Sequence, residues 1–145
     1  RRQACNGTSP WDEKCADSLL RVFQNFEIVY PDQSSRQAAG IVVYDGLYCP
    51  RKMRGNSKSW SMHAWMIAID INARYNGFKT NWPLKTMMPI EVMECFAKEG
   101  WLAAGAFCCR DAMHFQATAP FWYKIAFRQI KLFQPKCLLF ANFLV

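Results

Sequence analysis

The sequence has few of the features that define non-globular or membrane proteins. Of its 145 residues only 7 are Gly and 7 are Pro, while 15% are aromatic, which argues against disorder. The longest apolar run near the end, residues 137–145 with one Asn, is too short for a membrane helix of about 20 residues. The chain is long enough, and with 52% hydrophobic residues apolar enough, to bury a core. We therefore expect a single domain over residues 1–145.

Cysteine pairs of the kind that bind zinc are also missing. The seven cysteines form no C-x-x-C pair, and an odd number cannot all be paired within one chain. Reduced thiols in a cytosolic folding environment are the default expectation, and a Cys5–Cys15 disulfide is left open. We expect adjacent Cys108 and Cys109 to be small buried hydrophobic residues, because a disulfide between neighbours is strained.

The start of the chain lacks a Met and an apolar signal region. We therefore expect a processed or trimmed segment of a protein that is made in the cytoplasm, with no visible targeting signal.

Charge is unevenly placed along the chain. The net charge is +7, no acid follows Asp111, and four basic residues cluster shortly before the first histidine: Arg51, Lys52, Arg54 and Lys58. An anionic partner is expected, but charge alone does not choose among nucleic acid, anionic membrane and bacterial envelope polymers.

Hydrophobic patterns predict a mixture of helices and short strands. Ser9-Pro10-Trp11-Asp12 is typical of a helix start, and Pro89 and Gly100 can bound a second helix. Alternating Ile67, Ile69 and Ile71 predict a strand with Asp70 on the face away from the core. The predicted helices cover about residues 10–23, 90–99 and 120–133, and the predicted strands cover 26–30, 41–44, 67–71 and a segment near Phe115, with a polar loop over 32–36. This order predicts an α+β domain with a small, mostly antiparallel sheet flanked by helices.

The last predicted helix has a basic stripe. Lys124, Arg128 and Lys131 are spaced at i, i+4 and i+7, so they share one face. The stripe fits a surface that binds an anionic envelope. An ordinary terminal helix with solvated basic residues is the favoured interpretation, because such helices are common.

Only two histidines occur, and each lies in a frame with a nearby acid. His63 precedes Asp70 by seven residues, and His114 follows Asp111 by three. Imidazole and carboxylate groups suit zinc, and a catalytic zinc site has three protein ligands with one open position. His63, Asp70 and His114 form such a set, which leaves Asp111 free to transfer protons.

Other catalytic signatures are missing, including H-E-x-x-H, G-x-S-x-G, G-K-[ST] and G-x-G-x-x-G. The pattern S-x-H-x(6)-D from Ser61, followed by D-x-M-H-F from Asp111, instead resembles the zinc family of D-alanyl-D-alanine carboxypeptidases and L-alanyl-D-glutamate endopeptidases, which includes phage endolysins. The resemblance covers roughly residues 49–118.

The resemblance implies a role for each matched residue. It implies that His63, Asp70 and His114 bind Zn2+ and that Asp111 is the catalytic base. Arg51 is similar to the arginine that stabilises the reacting carbonyl group, with Arg54 as a competitor. Ser61 and Gln116 frame the motifs and receive no chemical role.

Two positions depart from the family pattern. Met66 stands where the family commonly has Gly, and we expect it to be strained at positive φ and to fill space near the metal. Cys108 and Cys109 replace a pair of the Trp-Gly type.

The expected function is therefore hydrolysis of an amide bond in the peptidoglycan stem peptide by an endolysin-like, monomeric zinc peptidase that acts on the bacterial cell wall. D,D-carboxypeptidase and L,D-endopeptidase action both stay open. One rival is a non-catalytic, zinc-containing module that binds the wall, with its groove closed by Met66. The other is a nucleic-acid binding domain, for which the sequence offers no recognised motif.

Overall fold

A computed structural model describes residues 13–83 and 88–117, and these form an α+β fold as predicted. The helices are α1 (Glu13–Val29), α2 (Gln33–Ala38), α3 (Ala73–Asn76), α4 (Ile90–Lys98), α5 (Ala104–Cys108) and a 3-10 helix (Met62–Trp65). The strands are β1 (Tyr44–Gly46), β2 (Lys52–Met53), β3 (Asn56–Trp60), β4 (Ala68–Ile71), β5 (Trp101–Ala103) and β6 (His114–Ala117).

The main sheet is antiparallel and has the strand order β1-β4-β6-β5, while β2 and β3 form a separate hairpin. One face of the main sheet packs on α4, where the Phe96 and Phe115 rings stack with centroids 3.8 Å apart. Ile69 and Ile71 are buried on the same side. The opposite face of β4 is therefore free to present Asp70 away from the core, as the alternation predicts.

Helix α1 is longer than predicted, and the strand expected over residues 26–30 is wrong. Leu19, Val22 and Phe26 are buried at helical spacing, and the Phe26 ring meets Phe96 at 5.7 Å between centroids. The helix therefore continues through Ile28, which is 79% exposed. An exposed β-branched residue is tolerated on the solvent side of a helix and does not require a strand. The predicted helix start at residues 9–12 lies outside the described residues.

The polar segment after α1 is a helix, where we expected a loop. Asp32 is the N-cap of α2, and its Oδ1 accepts a hydrogen bond of 2.8 Å from the Ser35 amide. That bond satisfies an amide that a short helix would otherwise leave unpaired. The strand expected over 41–44 starts only at Tyr44, the first residue that pairs with β4.

The remaining elements lie close to their predicted places. Strand β4 and helix α4 confirm the predictions for 67–71 and 90–99, and Gly100 ends α4 with φ +83°. β6 includes Phe115 as expected. The basic helix predicted over 120–133 lies outside the described residues, and the single-domain prediction for 1–145 stays a prediction. Within the described segments, no helix has the length and apolar character needed to span a bilayer.

Candidate active site

Strand pairing brings together the first two candidate residues. In the register of β4 and β6, Asp70 is directly opposite His114, next to the pair Ile69 and Phe115. Because Ile69 and Phe115 face the core, Asp70 and His114 share the other face of the sheet. Asp70 Oδ1 lies 3.0 Å from His114 Nδ1.

The 3-10 helix supplies the second histidine from a buried position. His63 is only 3% exposed, and its Nδ1 lies 3.0 Å from the carbonyl oxygen of Leu47. A carbonyl oxygen can only accept, so Nδ1 of His63 is the protonated nitrogen of the neutral ring. The Nε2 lone pair is thereby directed towards the other two residues, 3.1 Å from Asp70 Oδ1 and 3.2 Å from His114 Nδ1.

His114 is oriented by a residue of its own strand. Its Nε2 donates to Gln116 Oε1 at 3.2 Å, so in the neutral ring Nδ1 has the free lone pair. A partner on the second ring nitrogen is the usual way in which a protein fixes the tautomer of a metal-binding histidine. Gln116 is two residues after His114 and therefore lies on the same face of β6.

The three side chains together form a group that could hold a metal ion. His63, Asp70 and His114 each direct one ligand atom to a common point, and the atoms lie within 4.8 Å of one another. With both histidines neutral, all three atoms are acceptors, so a cation or a proton is needed between them. Ligand atoms at about 2.0–2.2 Å from a tetrahedral zinc are roughly 3.3–3.6 Å apart, only slightly more than the distances of 3.0–3.2 Å found here.

The charges of the group are strongly coupled. Burial raises the pKa of Asp70, but hydrogen bonds to His114 and His63 outweigh this and bring it down to about 2. Burial lowers the pKa of His114, but its contacts with Asp70 outweigh this and raise it above the ordinary value. Asp70 is therefore ionised and can bind a cation, and a proton on His114 is the competitor that a metal would have to displace.

Asp111 lies in the turn before β6, with φ +58°. Its carbonyl oxygen accepts a hydrogen bond of 2.9 Å from the His114 amide, so this turn and strand β6 are held together. Burial raises the pKa of the Asp111 carboxyl. Its Oδ1 is buried, and among the described residues it has no hydrogen-bond partner. A buried acceptor without a partner is costly, which favours a proton on this carboxyl group.

A cavity of about 280 Å³ opens beside the group. Its walls include the proposed ligands Asp70 and His114 together with Asp111. The other polar walls are Arg51, Arg54, Ser61 and Gln116, and the apolar walls are Met53, Met62, Phe78, Cys108 and Met113. A carboxylate that is not part of the three-residue group thus shares a cavity with that group.

Both candidate arginines line this cavity. Arg51 is half-buried, and its Nη1 donates to the carbonyl oxygen of Lys52 at 3.4 Å. Arg54 is exposed in the turn between β2 and β3, and its charge acts to lower the pKa of Asp111, although burial has the larger effect.

Met66 behaves as predicted in its backbone and differently in its side chain. It follows the 3-10 helix with φ 58° and ψ 24°, the left-handed conformation that Gly adopts without strain. The side chain is 6% exposed and packs in the hydrophobic core. Met66 is not among the residues that line the cavity, so its side chain does not narrow the cavity, while its closeness to the metal stays a prediction.

The cysteine predictions also need correction. Cys108 is an exposed free thiol at the cavity wall, where we expected a buried hydrophobic residue. Cys109 is disulfide-bonded, so the expectation of reduced thiols is wrong for this residue. Cys108 is at the end of α5 and Cys109 has φ 54°, so the helix stops here and the chain turns towards Asp111.

Two features of the site were missed by the sequence analysis. Gln116 was seen only as motif framing, although its i+2 spacing from His114 on a strand was a signal that both share a face. The sequence gives no sign that the Leu47 carbonyl group orients His63, because this oxygen belongs to the backbone of a loop 16 residues earlier.

Comparison with known families gave a match over the part of the chain that contains the candidate site. Residues 54–117 match the family model described as D-alanyl-D-alanine carboxypeptidase. The matched segment includes His63, Asp70, Asp111 and His114, and the match confirms the predicted resemblance over this part of the chain. Comparisons with curated proteins and with solved structures gave no match.

Proposed function

We propose that the protein is a zinc-dependent peptidase that hydrolyses an amide bond in the peptidoglycan stem peptide. The observation that carries the proposal is the convergence of three acceptor atoms beside a cavity that is also lined by the Asp111 carboxyl group. The match to D-alanyl-D-alanine carboxypeptidase supports the reaction class. The endolysin-like role and action on the bacterial cell wall are part of the same proposal.

His63, Asp70 and His114 are the proposed ligands. Two neutral imidazoles and one carboxylate leave a net positive charge on a zinc site and one open position. When bound, zinc supplies Lewis-acid activation of water and of the substrate carbonyl group.

Asp111 is the proposed general base. Its carboxylate, at the cavity wall, accepts the proton of the attacking water and later gives it to the leaving amine. Burial raises the pKa of Asp111, which makes the carboxylate a stronger base than an exposed aspartate. The turn that holds Asp111 is tied to the His114 amide, so base and ligand keep a fixed relation.

Arg51 is the proposed stabiliser of the charge that develops on the carbonyl oxygen, and Arg54 is the alternative. Both are permanently charged donors at the cavity wall. Arg51→Gln is expected to lower kcat by about 10²–10³-fold, the usual effect of losing one oxyanion donor. Arg54→Gln is the matched control, with kcat close to that of the parent chain. A larger loss of kcat in Arg54→Gln than in Arg51→Gln would show that Arg54 stabilises the carbonyl oxygen.

A non-catalytic wall-binding module is the second candidate. Its main support was a groove closed by Met66, and that support is lost because Met66 packs in the core. The position of Asp111 at the cavity wall favours the peptidase, because a binding module does not require a further carboxylate beside the metal ligands.

The decisive experiment is digestion of purified peptidoglycan by the zinc-loaded chain, with the new termini identified by mass spectrometry. We expect new amino termini in the stem peptide if the enzyme is an L,D-endopeptidase and released D-alanine if it is a D,D-carboxypeptidase. His63→Ala and a chelator-treated sample are the controls. Zinc binding without any new terminus would reject the peptidase and leave the wall-binding module.

A further inference from the structure

The hairpin of β2 and β3 presents an aromatic and basic face. Lys52 is paired with Trp60 across the hairpin, and Lys52 Nζ lies 4.0 Å from the centroid of the Trp60 ring. Lys58 is two residues before Trp60 in the same short strand β3. Trp60 is 45% exposed, and both lysines are exposed. We call Lys52, Lys58 and Trp60 the hairpin face.

Basic charge is concentrated around the hairpin face. No Asp or Glu occurs from Gly46 to Ile69, whereas four Lys or Arg do. In the remaining described residues, ten acids stand against seven bases. Because the rest of the described surface does not share this bias, an anionic partner is directed to the hairpin.

The hairpin face adjoins the proposed active site. Lys52 lies between Arg51 and Met53, and Trp60 directly precedes Ser61, and all three of these neighbours line the cavity. The Ser61 amide donates to the Arg51 carbonyl oxygen at 2.9 Å, which closes the base of the hairpin at the cavity wall. A polymer with one branch in the cavity can therefore reach Lys52 and Trp60.

We propose that the hairpin face binds the glycan strand of peptidoglycan while a stem peptide occupies the cavity, an inference that rests on the proposed function. Stem peptides are attached covalently to the sugars of that strand, so a peptide in the cavity brings its sugar to the cavity edge. An exposed indole offers a flat apolar surface on which a sugar ring can stack. The two lysines provide positive charge for nearby carboxylates, with a range of about 10 Å at moderate salt.

The test is co-sedimentation with purified, protein-free peptidoglycan sacculi. All chains contain Asp111→Asn, so that cleavage does not remove the binding sites. Adding Trp60→Ala is expected to weaken binding about tenfold, and adding Lys52→Gln with Lys58→Gln is expected to weaken it by a similar factor that shrinks in high salt. Trp65→Ala is the matched control, because Trp65 is 61% exposed but lies in the 3-10 helix outside the hairpin face.

A second measurement separates docking from catalysis. In the chain with native Asp111, Trp60→Ala is expected to leave hydrolysis of a short soluble stem peptide within about twofold of the parent, because the indole does not line the cavity. The double lysine variant keeps Trp60 and therefore tests the same face if Trp60→Ala does not fold.

Several results would overturn the proposal. These are unchanged sacculus binding in both hairpin variants, an equal loss in Trp65→Ala, or a hairpin-dependent binding of single-stranded oligonucleotides or anionic lipid vesicles that exceeds binding to sacculi. A parent chain that cleaves no peptide, but loses sacculus binding with the hairpin variants, would reject the peptidase and support the docking face.

Discussion

Asp70 Oδ1 and His114 Nδ1 lie 3.0 Å apart because their residues are directly opposite in the pairing of β4 with β6. The position of both groups is thus set by the backbone register of two core strands. His63 reaches the same point from the 3-10 helix, with its ring fixed by the Leu47 carbonyl. A site built in this way is organised before a metal arrives, which lowers the ordering cost of binding.

Gln116 tests the orientation of His114. Gln116→Leu removes the acceptor for Nε2–H, so His114 can adopt the other tautomer or rotate. We expect zinc affinity to fall by about 10–100-fold while the stoichiometry at saturating zinc stays at one per chain. Competition with a chromophoric chelator measures the affinity. Gln24→Leu, on the exposed side of α1, is the control and should have no effect. An unchanged affinity for Gln116→Leu would show that Gln116 does not orient the ligand.

Much of the site could be predicted because its residues follow local rules. Alternation of Ile67, Ile69 and Ile71 placed Asp70 on the face opposite the core, and the two histidine frames singled out the residues that the structure brings together. Phe115 is a core residue of β6, so its neighbour His114 lies on the opposite face of the strand. That is the same face of the sheet as Asp70.

The parts that could not be predicted depend on tertiary contacts. Residues 26–30 have strand-like composition, but contacts of Phe26 with Phe96 bury a helical face and extend α1. The Met66 backbone was correctly identified as a glycine-like position, yet its side chain turns into the core instead of the cavity. Neither outcome can be obtained from residue spacing, because each depends on which neighbours the fold supplies.

Met66 gives a prediction about stability. Met66→Gly removes the backbone strain of a non-Gly residue in the left-handed conformation, which stabilises the fold by about 1 kcal/mol. It also removes a buried core side chain, which costs about 2–5 kcal/mol. We expect a net loss of stability of roughly 1–4 kcal/mol in chemical unfolding. Zinc content and peptidase activity should be unchanged below the unfolding transition. A more active variant at equal zinc content would instead show that the Met66 side chain restricts the substrate groove.

Tyr30 gives a prediction about alkaline pH. Burial, assisted by the charges of Glu91, Cys95 and Glu94, raises its pKa from 10.0 to about 12. The folded state therefore keeps the phenol proton at a pH where the unfolded chain loses it, so this contribution to stability is present below pH 10 and falls as the pH rises towards 12. Urea unfolding at pH 8 and pH 11 should show a smaller loss of stability in Tyr30→Phe than in the parent chain. An equal loss in both chains would show that Tyr30 is not responsible.

The most direct test of the peptidase is Asp111→Asn, measured as zinc content and as hydrolysis of a stem peptide by the same preparation. Asn keeps the size of the side chain and can adopt the left-handed turn conformation, but it cannot accept the proton. We expect one zinc per chain and a rate about 10²–10⁴-fold below that of the parent. Loss of zinc would make Asp111 a ligand, and a rate close to that of the parent chain with zinc retained would contradict its role as the general base.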